Sequence, residues 1–502
     1  MHNLTSECQV LIVGAGPVGL TLALALGNQK INVRLIDKAL AANNHSKALV
    51  IWPRTLELLD IQGSTEQLLA SGMNGSGISI RNEQVELVHM PFNFLESKFA
   101  QPLLIPQNLT EAVLQSLLTN LGISVERGTE LIKFEQSNNQ VHARLRHHDG
   151  SDETLHCQHL VGADGPHSNV RHCLGIDFEG KTLKSQWALA DLKIEGAIPQ
   201  NEITMVLAKD GLLGLFPIIG GRYRVMADLS KNNHDQDPTL EEIQSILDCR
   251  YGGGLRVHSP LWLSHFKINE RQVREYKHGQ VFLAGDAAHI HSPAGGQGMN
   301  TGMQDALNLA WKMALVLRGK ANDSLLKTYS PERQPIAEEV LLNAGRLTRF
   351  AQLQQPFACY LRNFIIKSIG KSQRVQSKLM TTLSELNVNY RKSDLSMNLS
   401  ESCPNIQSGD RIPNIMVQNG DHQVSLYTKL QQGNFVLLSI NSEVTSQEIP
   451  DSFHSLLDST SAVTQTRFCD GYSYLIRPDG YLSGSCKTPT CDVMLEWLKR
   501  WQ

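Results

Sequence analysis

The sequence predicts an α/β protein: a Rossmann-like nucleotide-binding domain interrupted by a β-rich insertion, then helices and a separate C-terminal domain. Three observations predict it. A strand, glycine turn, helix and strand open the chain, β-type patterning dominates residues 183–271, and a second strand, glycine loop and helix follow at 281–319. The return of α/β character after the β-rich stretch makes the nucleotide-binding domain discontinuous in sequence.

Residues 8–13, CQVLIV, read as a short buried strand, followed by GAGPVG, the apolar-periodic TLALALGNQK and a second strand, INVRLID. Gly14, Gly16 and Gly19 form G-x-G-x-x-G between strand and helix, with Ala15 and Pro17 between them. The first glycine permits the tight turn, the second lets backbone approach a pyrophosphate, and the third lets helix and strand pack closely. The N–H groups and dipole at the helix start favour phosphate. Asp37 ends the second strand about 20 residues on, where an acid can bond a ribose hydroxyl. This context sets the motif above a mere glycine-rich turn, but it does not choose between NAD(P) and FAD. Residues 48–60 lead into a helix, 78–90 read as paired strands, and 107–121 as an amphipathic helix with Leu114, Leu117, Leu118 and Leu121 on one face. The β-rich stretch contains ITMVLA, GLFPII and YRVMADL. Residues 324–385 read as helices, and from about 400 short strands and turns take over.

The 502 residues are 41% hydrophobic and 19% charged, which suits globular domains with sizeable cores. The net charge of −3, with no basic arm or acidic tail, speaks against nucleic acid as the main partner. The cysteines are odd in number (9) and form no close framework, which points to a reducing cytoplasm. The most apolar stretch, Val10 to Gly27, carries Gly14, Gly16, Pro17 and Gly19 and lacks a basic leader, so no stable membrane insertion is expected. Residues 175–182, GIDFEGKT, spell a P-loop, but a helix-like segment precedes, a strand follows, and Asp177 and Glu179 would repel phosphate. His289 and His291, and His147 and His148, lack companions at zinc spacing, so no metal is expected. Cys486 and Cys491 are spaced C-x4-C, not as the redox C-x-x-C.

Two further motifs choose the cofactor. Residues 160–171 read LVGADGPHSNVR and residues 281–314 read VFLAGDAAHIHSPAGGQGMNTGMQDALNLAWKMA. Together with the first fingerprint they resemble the FAD-dependent aromatic hydroxylase family, the group A flavoprotein monooxygenases, over about residues 5–345. The closest shape is the branch of phenol hydroxylase, pentachlorophenol monooxygenase, 3-(3-hydroxyphenyl)propionate hydroxylase and the polyketide hydroxylases. The resemblance implies non-covalent FAD held by Gly14, Ala15, Gly16, Pro17, Gly19, Asp37 and Lys38. It implies that Asp286, after Gly285, bonds the ribityl chain. Asp164 and Gly165 would lie near the pyrophosphate and bear on nicotinamide binding, with Arg171 closing the motif. Pro293, Gly295, Gly296, Gly298, Met299 and Asn300 would run along the isoalloxazine ring. Glycine-rich backbone can lie against a flat ring, and the helix expected over Thr301–Leu317 presents its N-terminal N–H groups there. Gln107 matches a position that touches FAD. The sequence departs from the family at Asp37-Lys38, where Glu-Arg is common, and at Lys47, where arginine is common; lysine keeps the charge but loses the bidentate fork.

The resemblance also implies a division of the chain. Residues 1–75, 101–178 and 272–345 form the FAD-binding domain, 76–100 and 179–271 the β-rich substrate domain, 346–398 a helical connector, and 399–502 a thioredoxin-like C-terminal domain. The last rests on GDRIPN and GYSYLIRPDGY, whose continuation Leu482 to Ser485 departs from the family; lacking C-x-x-C, it is expected to serve packing or oligomer contacts, with a homodimer left open. The activity implied is reduction of FAD by NAD(P)H, addition of O2 to give a C4a-hydroperoxide, and oxygen transfer to an aromatic, phenolic or polyketide-like substrate. A Baeyer–Villiger-type or antibiotic-inactivating monooxygenase of the same fold is the alternative, and a non-catalytic flavin-bound interaction protein the alternative of another class. No acid or base residue is named; the flavin-facing loop is Pro293, Gly295 and Gly296. Trp187, Leu215, Phe216, Pro217, Arg222 and Tyr223 are the candidate substrate-pocket residues.

Overall fold

The computed structural model describes the chain except residues 1–4, 44–45, 230–235, 354, 398, 400–401, 420–421, 441–456, 463–466 and 488–491. The opening apolar run becomes the strand Thr5–Val13, with Val10, Leu11 and Ile12 wholly buried. A strand apolar on both sides needs cover on both faces, as parallel sheets provide. Parallel neighbours flank it: Asp152–Gly162 on one side and Val33–Asp37 on the other. The sheet extends to Val125–Arg127 beyond the second and to Val281–Leu283 beyond the first. A strand from far along the sequence thus lies next to the opening unit. The helices Pro17–Asn28 and Gly298–Leu317 pack together against it.

A second sheet, eight-stranded among the described residues, is built around the long antiparallel pair Glu179–Gly196 and Leu255–Gln272. Arg222–Asp228, Gly211–Ile218 and Glu202–Ala208 follow in turn, and Gly77–Arg81 and Glu86–Pro91 complete that edge. The segment 183–271 is not wholly β. The helix Leu240–Tyr251 covers one face, begun by a capping box of Thr239 and Glu242 and ended by Gly252 at φ +94. The T-x-x-E signal stands in the sequence, and the β-rich surroundings masked it. Alternation then splits the sheet. Ala188, Leu213, Leu215, Tyr223 and Val225 pack toward Ile243 and Leu247 of that helix. Leu189, Phe216, Met226 and Ile268 belong to the core on the opposite side.

The helix Gln107–Asn120 buries Thr110, Glu111, Leu114 and Leu118. Leu121 stands 42% exposed just past its end, so the four-leucine face is corrected to a narrower one. The final helix-to-sheet transition follows Tyr329–Ala351, Pro356–Ile369 and Gln373–Leu383. In the C-terminal sheet Phe435–Ile440 runs parallel to Leu457–Ala462 and antiparallel to Tyr472–Ile476, which pairs with Leu482–Lys487. A parallel pair followed by a hairpin is the pattern of a thioredoxin-like unit.

Buried ions dock this unit. Arg477, in the R-P-D-G turn, donates to both oxygens of Glu332 at 2.7 and 2.9 Å, and Trp311 Nε1 donates to Asp479 at 3.0 Å. Arg411 and Arg54 both bond Glu57, and Arg54 lies 4.5 Å from the Tyr481 ring. Charges buried this fully persist because each is partnered. Cys403 and Cys469 form a disulfide across 66 residues, against the reduced thiols expected from the scattered spacing. The described Cys486 is buried, and Cys491 lies outside the described residues. The P-loop lettering sits where the helix Asn169–Cys173 gives way to the strand Glu179–Gly196, a geometry no phosphate loop adopts.

Candidate active site

A cavity of about 890 Å³ extends from the first glycine turn to the second sheet. Gly14, Ala15, Gly16 and Pro17 line its near end, where the parallel strands end. A Cβ on Gly19 would stand 1.9 Å from Gly14 O, and one on Gly14 2.4 Å from Ala163 O, so turn, helix and strand meet through bare backbone. Gly14 also needs its φ of +104. Gly16 differs: a Cβ there would meet nothing within 4 Å and would point into open space. No side chain caps the helix Pro17–Asn28, which leaves its first N–H groups to a ligand.

Asp37 lines the same end. Its carboxylate accepts from Ala15 N and Ala39 N, both at 2.8 Å, and Arg127 lies 3.5 Å away. Lys38 and Lys47 line the cavity and are exposed. Gln107 ties the Lys47 segment to its own helix, accepting from Ala48 N at 3.1 Å and donating to Glu111 at 2.8 Å. Burial raises the Glu111 carboxyl above its ordinary range.

Asp164 and Gly165, the latter at φ +79, form the opposite wall. Asp164 Oδ2 accepts from Asn169 N and Val170 N, whereas Oδ1 is buried with no protein partner. Burial raises this carboxyl. Asp286 opens into the cavity deep in the protein; burial raises its carboxyl too, against the pull of His289 and Lys47. Pro293, Gly296, Gly298 and Met299 carry the wall onward. The helix there starts at Gly298, three residues before the expected Thr301, with no side-chain cap.

Other sequence-picked residues stand behind this wall. Arg171 donates to Ala287 O at 3.0 Å and Pro166 O at 2.8 Å and lies over Phe178, clamping two motifs together. Asn300 is buried, accepting from Trp52 N and donating to Val50 O and Gly296 O. Gly295 O accepts from Trp52 Nε1 at 2.9 Å. Gly285 N donates to Asp305, whose carboxylate also bonds His289 at 2.7 Å and Arg333 at 2.7 Å. Asp305 therefore fixes the Gly285-Asp286 turn from below, a role the sequence reading missed.

At the far end, Leu189, Phe216, Met226, Trp262 and Phe266 make an apolar wall. Arg224 forks onto Asp191 with two bonds of 2.8 Å and donates to Lys47 O at 3.0 Å, and Trp262 Nε1 donates to Asp191. This cluster joins the second sheet to the Lys47 segment. Of the six candidate pocket residues only Phe216 lines the cavity. Leu215 and Tyr223 face the helix Leu240–Tyr251, Pro217 shares their side of its strand, Trp187 is core, and Arg222 bonds Ser259 O at the sheet edge. The alternation was legible; which side faced the cavity was not, because both sides are buried. His291 also lines the cavity unforeseen. Burial lowers it to about 4, so it is neutral, and with Nδ1–H donating to Ser292 O its Nε2 stays an acceptor without a partner.

The residues fit FAD. The open side of Gly16 and the uncapped helix start suit a pyrophosphate, the unpartnered Asp164 oxygen suits a hydroxyl donor of the same ligand, and the cavity is long enough to continue past them. They define a flavin dinucleotide site, and relatives named as monooxygenases make the chain an FAD-dependent monooxygenase of the aromatic hydroxylase class. Residues 7–344 match the family model described as FAD binding domain, and the chain belongs to that family. It is 32% identical over 500 residues to an uncharacterised aromatic compound monooxygenase of Bacillus subtilis, covering 98% of each chain. It is 35% identical over 409 residues to 6-methylpretetramide 4-monooxygenase of Streptomyces rimosus, covering 80% of this chain and 73% of the relative. Among solved structures, the anhydrotetracycline hydroxylase of Streptomyces rimosus superposes with a TM-score of 0.82 at 30% identity, covering 99% of both chains.

Proposed function

We propose that the chain uses NAD(P)H and O2 to hydroxylate an aromatic, phenolic or polyketide-like small molecule. The observation that carries this reading is one continuous cavity. It runs from the phosphate turn at Gly14, past the loop at Pro293 and Gly296, to the apolar wall of Phe216, Met226 and Trp262. Relatives named as monooxygenases of 6-methylpretetramide and of anhydrotetracycline support the same substrate class. The balance is substrate C–H, O2, NAD(P)H and a proton to C–OH, water and NAD(P)+. When bound, FAD supplies the electron transfer and oxygen activation.

The residues of the chain do the rest. Gly16 would hold bare backbone against the pyrophosphate, with Gly14 and Gly19 shaping the turn and its helix packing, Asp37 and Lys38 beside the ribose and Gln107 and Lys47 along the edge. Asp286 would accept hydrogen bonds from the ribityl hydroxyls. Pro293, Gly296, Gly298 and Met299 would border the ring, and the uncapped start of Gly298–Leu317 would favour negative charge there. Arg171, Gly285, Gly295 and Asn300 position that wall from behind. The apolar end excludes water and orients the substrate. The three-part FAD domain, inserted substrate domain, connector and C-terminal unit are the proposed functional divisions, and the cytoplasm the proposed compartment.

The test is the purified yellow protein with NADH or NADPH, a panel of phenols and tetracyclic aromatics, and heavy-oxygen gas. Substrate-stimulated NAD(P)H oxidation and a product carrying the heavy atom as hydroxyl support the proposal. An oxygen inserted into a carbon–carbon bond supports the Baeyer–Villiger alternative. No stimulation by any compound supports a binding role.

A further inference from the structure

The helix Pro356–Ile369 turns an apolar stripe outward. Phe357, Tyr360, Leu361, Phe364 and Ile365 recur at the spacing of one helical face. Phe357 is 79%, Tyr360 71% and Phe364 59% exposed. Its other face is firmly seated: Cys359, Arg362 and Ile366 are buried, and Arg362 donates to Ala351 O, Leu353 O and, on the second sheet, Leu207 O. The exposed stripe is therefore not a displaced piece of core. Leu342 and Leu347 on the preceding helix and Val375 on the following one are also exposed. A single exposed leucine needs no explanation, whereas a helix-long aromatic stripe marks an interaction site.

Its charge identifies the partner. Residues 340–384 contain no aspartate or glutamate. In the same stretch Arg346, Arg349, Lys367, Lys371, Arg374 and Lys378 are exposed. A symmetric contact with a second copy would set this patch against itself and bring like charges together. An anionic surface meets it with opposite charge. Aromatic and aliphatic residues on one helix face, with lysine and arginine beside them, are the composition of a helix lying in a bilayer interface. The described residues include no helix long and apolar enough to cross a membrane. We propose that Pro356–Ile369, flanked by Gln373–Leu383 and by the part of Tyr329–Ala351 that lies beyond the exposed Glu338 and Glu339, docks the protein peripherally on anionic phospholipid bilayers.

The inward sides of these helices, at Ile366 and Met380, join the core cluster that contains Leu189 and Met226. Docking would therefore set a phase in which apolar aromatics concentrate on the outer side of the core cluster that also walls the apolar end of the cavity. The docking proposal does not depend on the substrate reading.

The test is flotation of the FAD-loaded protein with phosphatidylcholine vesicles, with and without phosphatidylserine. Binding is expected only with phosphatidylserine and should fall at high salt. Each of Lys371→Gln and Lys378→Gln should weaken it about 5-fold, and Phe357→Ser with Phe364→Ser should abolish it. All of these variants should keep full FAD content, melting temperature and NAD(P)H oxidation. Absence of binding to phosphatidylserine vesicles, or binding that survives the phenylalanine changes, overturns the proposal. So does a solution dimer that these changes dissociate, which would assign the face to a second copy.

Discussion

The two ends of the cavity are built from different material. The phosphate end is walled by main chain: Gly14 and Gly19 touch their neighbours through backbone, and Gly16 presents an empty side to the ligand. The apolar end is walled by side chains that project from a sheet buried on both faces, among them Phe216, Met226 and Trp262. A backbone-built site demands particular residue types at particular spacings, because few residues besides glycine permit such approaches. A side-chain wall asks only for bulk and apolarity, which many residues supply. The first kind should therefore fail all at once when one glycine is changed, and the second in small steps.

The largest effect expected is at Gly16. Its backbone is extended and its Cβ direction is open, so Gly16→Val should fold normally yet retain no FAD after purification. A colourless protein with unchanged apo melting is the expected result. Full flavin content would show that the turn is not the phosphate site.

Next comes the support beneath the turn. Asp305→Ala leaves Arg333 buried without its carboxylate and should cost about 3–5 kcal/mol of stability. The ion partners hold Asp305 and Glu332 below the usual carboxylate range. A depressed folded-state value means that their contribution is full above about pH 4 and is lost as pH falls through the folded values. Thermal melts of wild type across that acid range should decline steeply, and those of Asp305→Ala should decline less. Equal slopes would mean that this pair does not carry the acid sensitivity.

A smaller effect is expected at Asp286, where charge-assisted hydrogen bonds are worth roughly 1.5–3 kcal/mol. Asp286→Ala should weaken FAD about 10- to 150-fold, and excess FAD should partly restore turnover. Fluorescence titration of the apo variant gives the affinity, and apo melting separates this from a structural role. Unchanged affinity would remove Asp286 from the site.

The same difference in material explains what could be read from the sequence. Gly14, Gly16, Gly19 and Asp37 announce themselves because their spacing is fixed by chain geometry, whereas the Asp164-Gly165 and Gly285-Asp286 turns were picked out by their resemblance to the family's motifs. Arg171 and Asn300 were found by the same motifs, yet they serve the wall from behind, since a motif records what a turn needs and not which atoms face outward. Asp305 lay unrecognised inside a helix because its partners, Gly285, His289 and Arg333, converge only in the fold. The pairing of Arg224 with Asp191, and of Cys403 with Cys469, is likewise tertiary. In the second sheet, the period-2 pattern was plain, but alternation cannot tell a cavity wall from a core when both faces are covered.

That parity is the sharpest point of the comparison, and neighbouring residues on one strand test it. Phe216 faces the cavity, and Leu215 faces the helix Leu240–Tyr251. The measurement is KM for the best substrate, FAD content and melting temperature on Phe216→Ala and Leu215→Ala prepared side by side. The account predicts about a 10-fold rise in KM for Phe216→Ala, with FAD content and melting nearly unchanged. It predicts an unchanged KM for Leu215→Ala, with about 2–5 kcal/mol of stability lost. A raised KM for Leu215→Ala with an unaltered one for Phe216→Ala would contradict it, because the substrate would then meet the other face of the sheet.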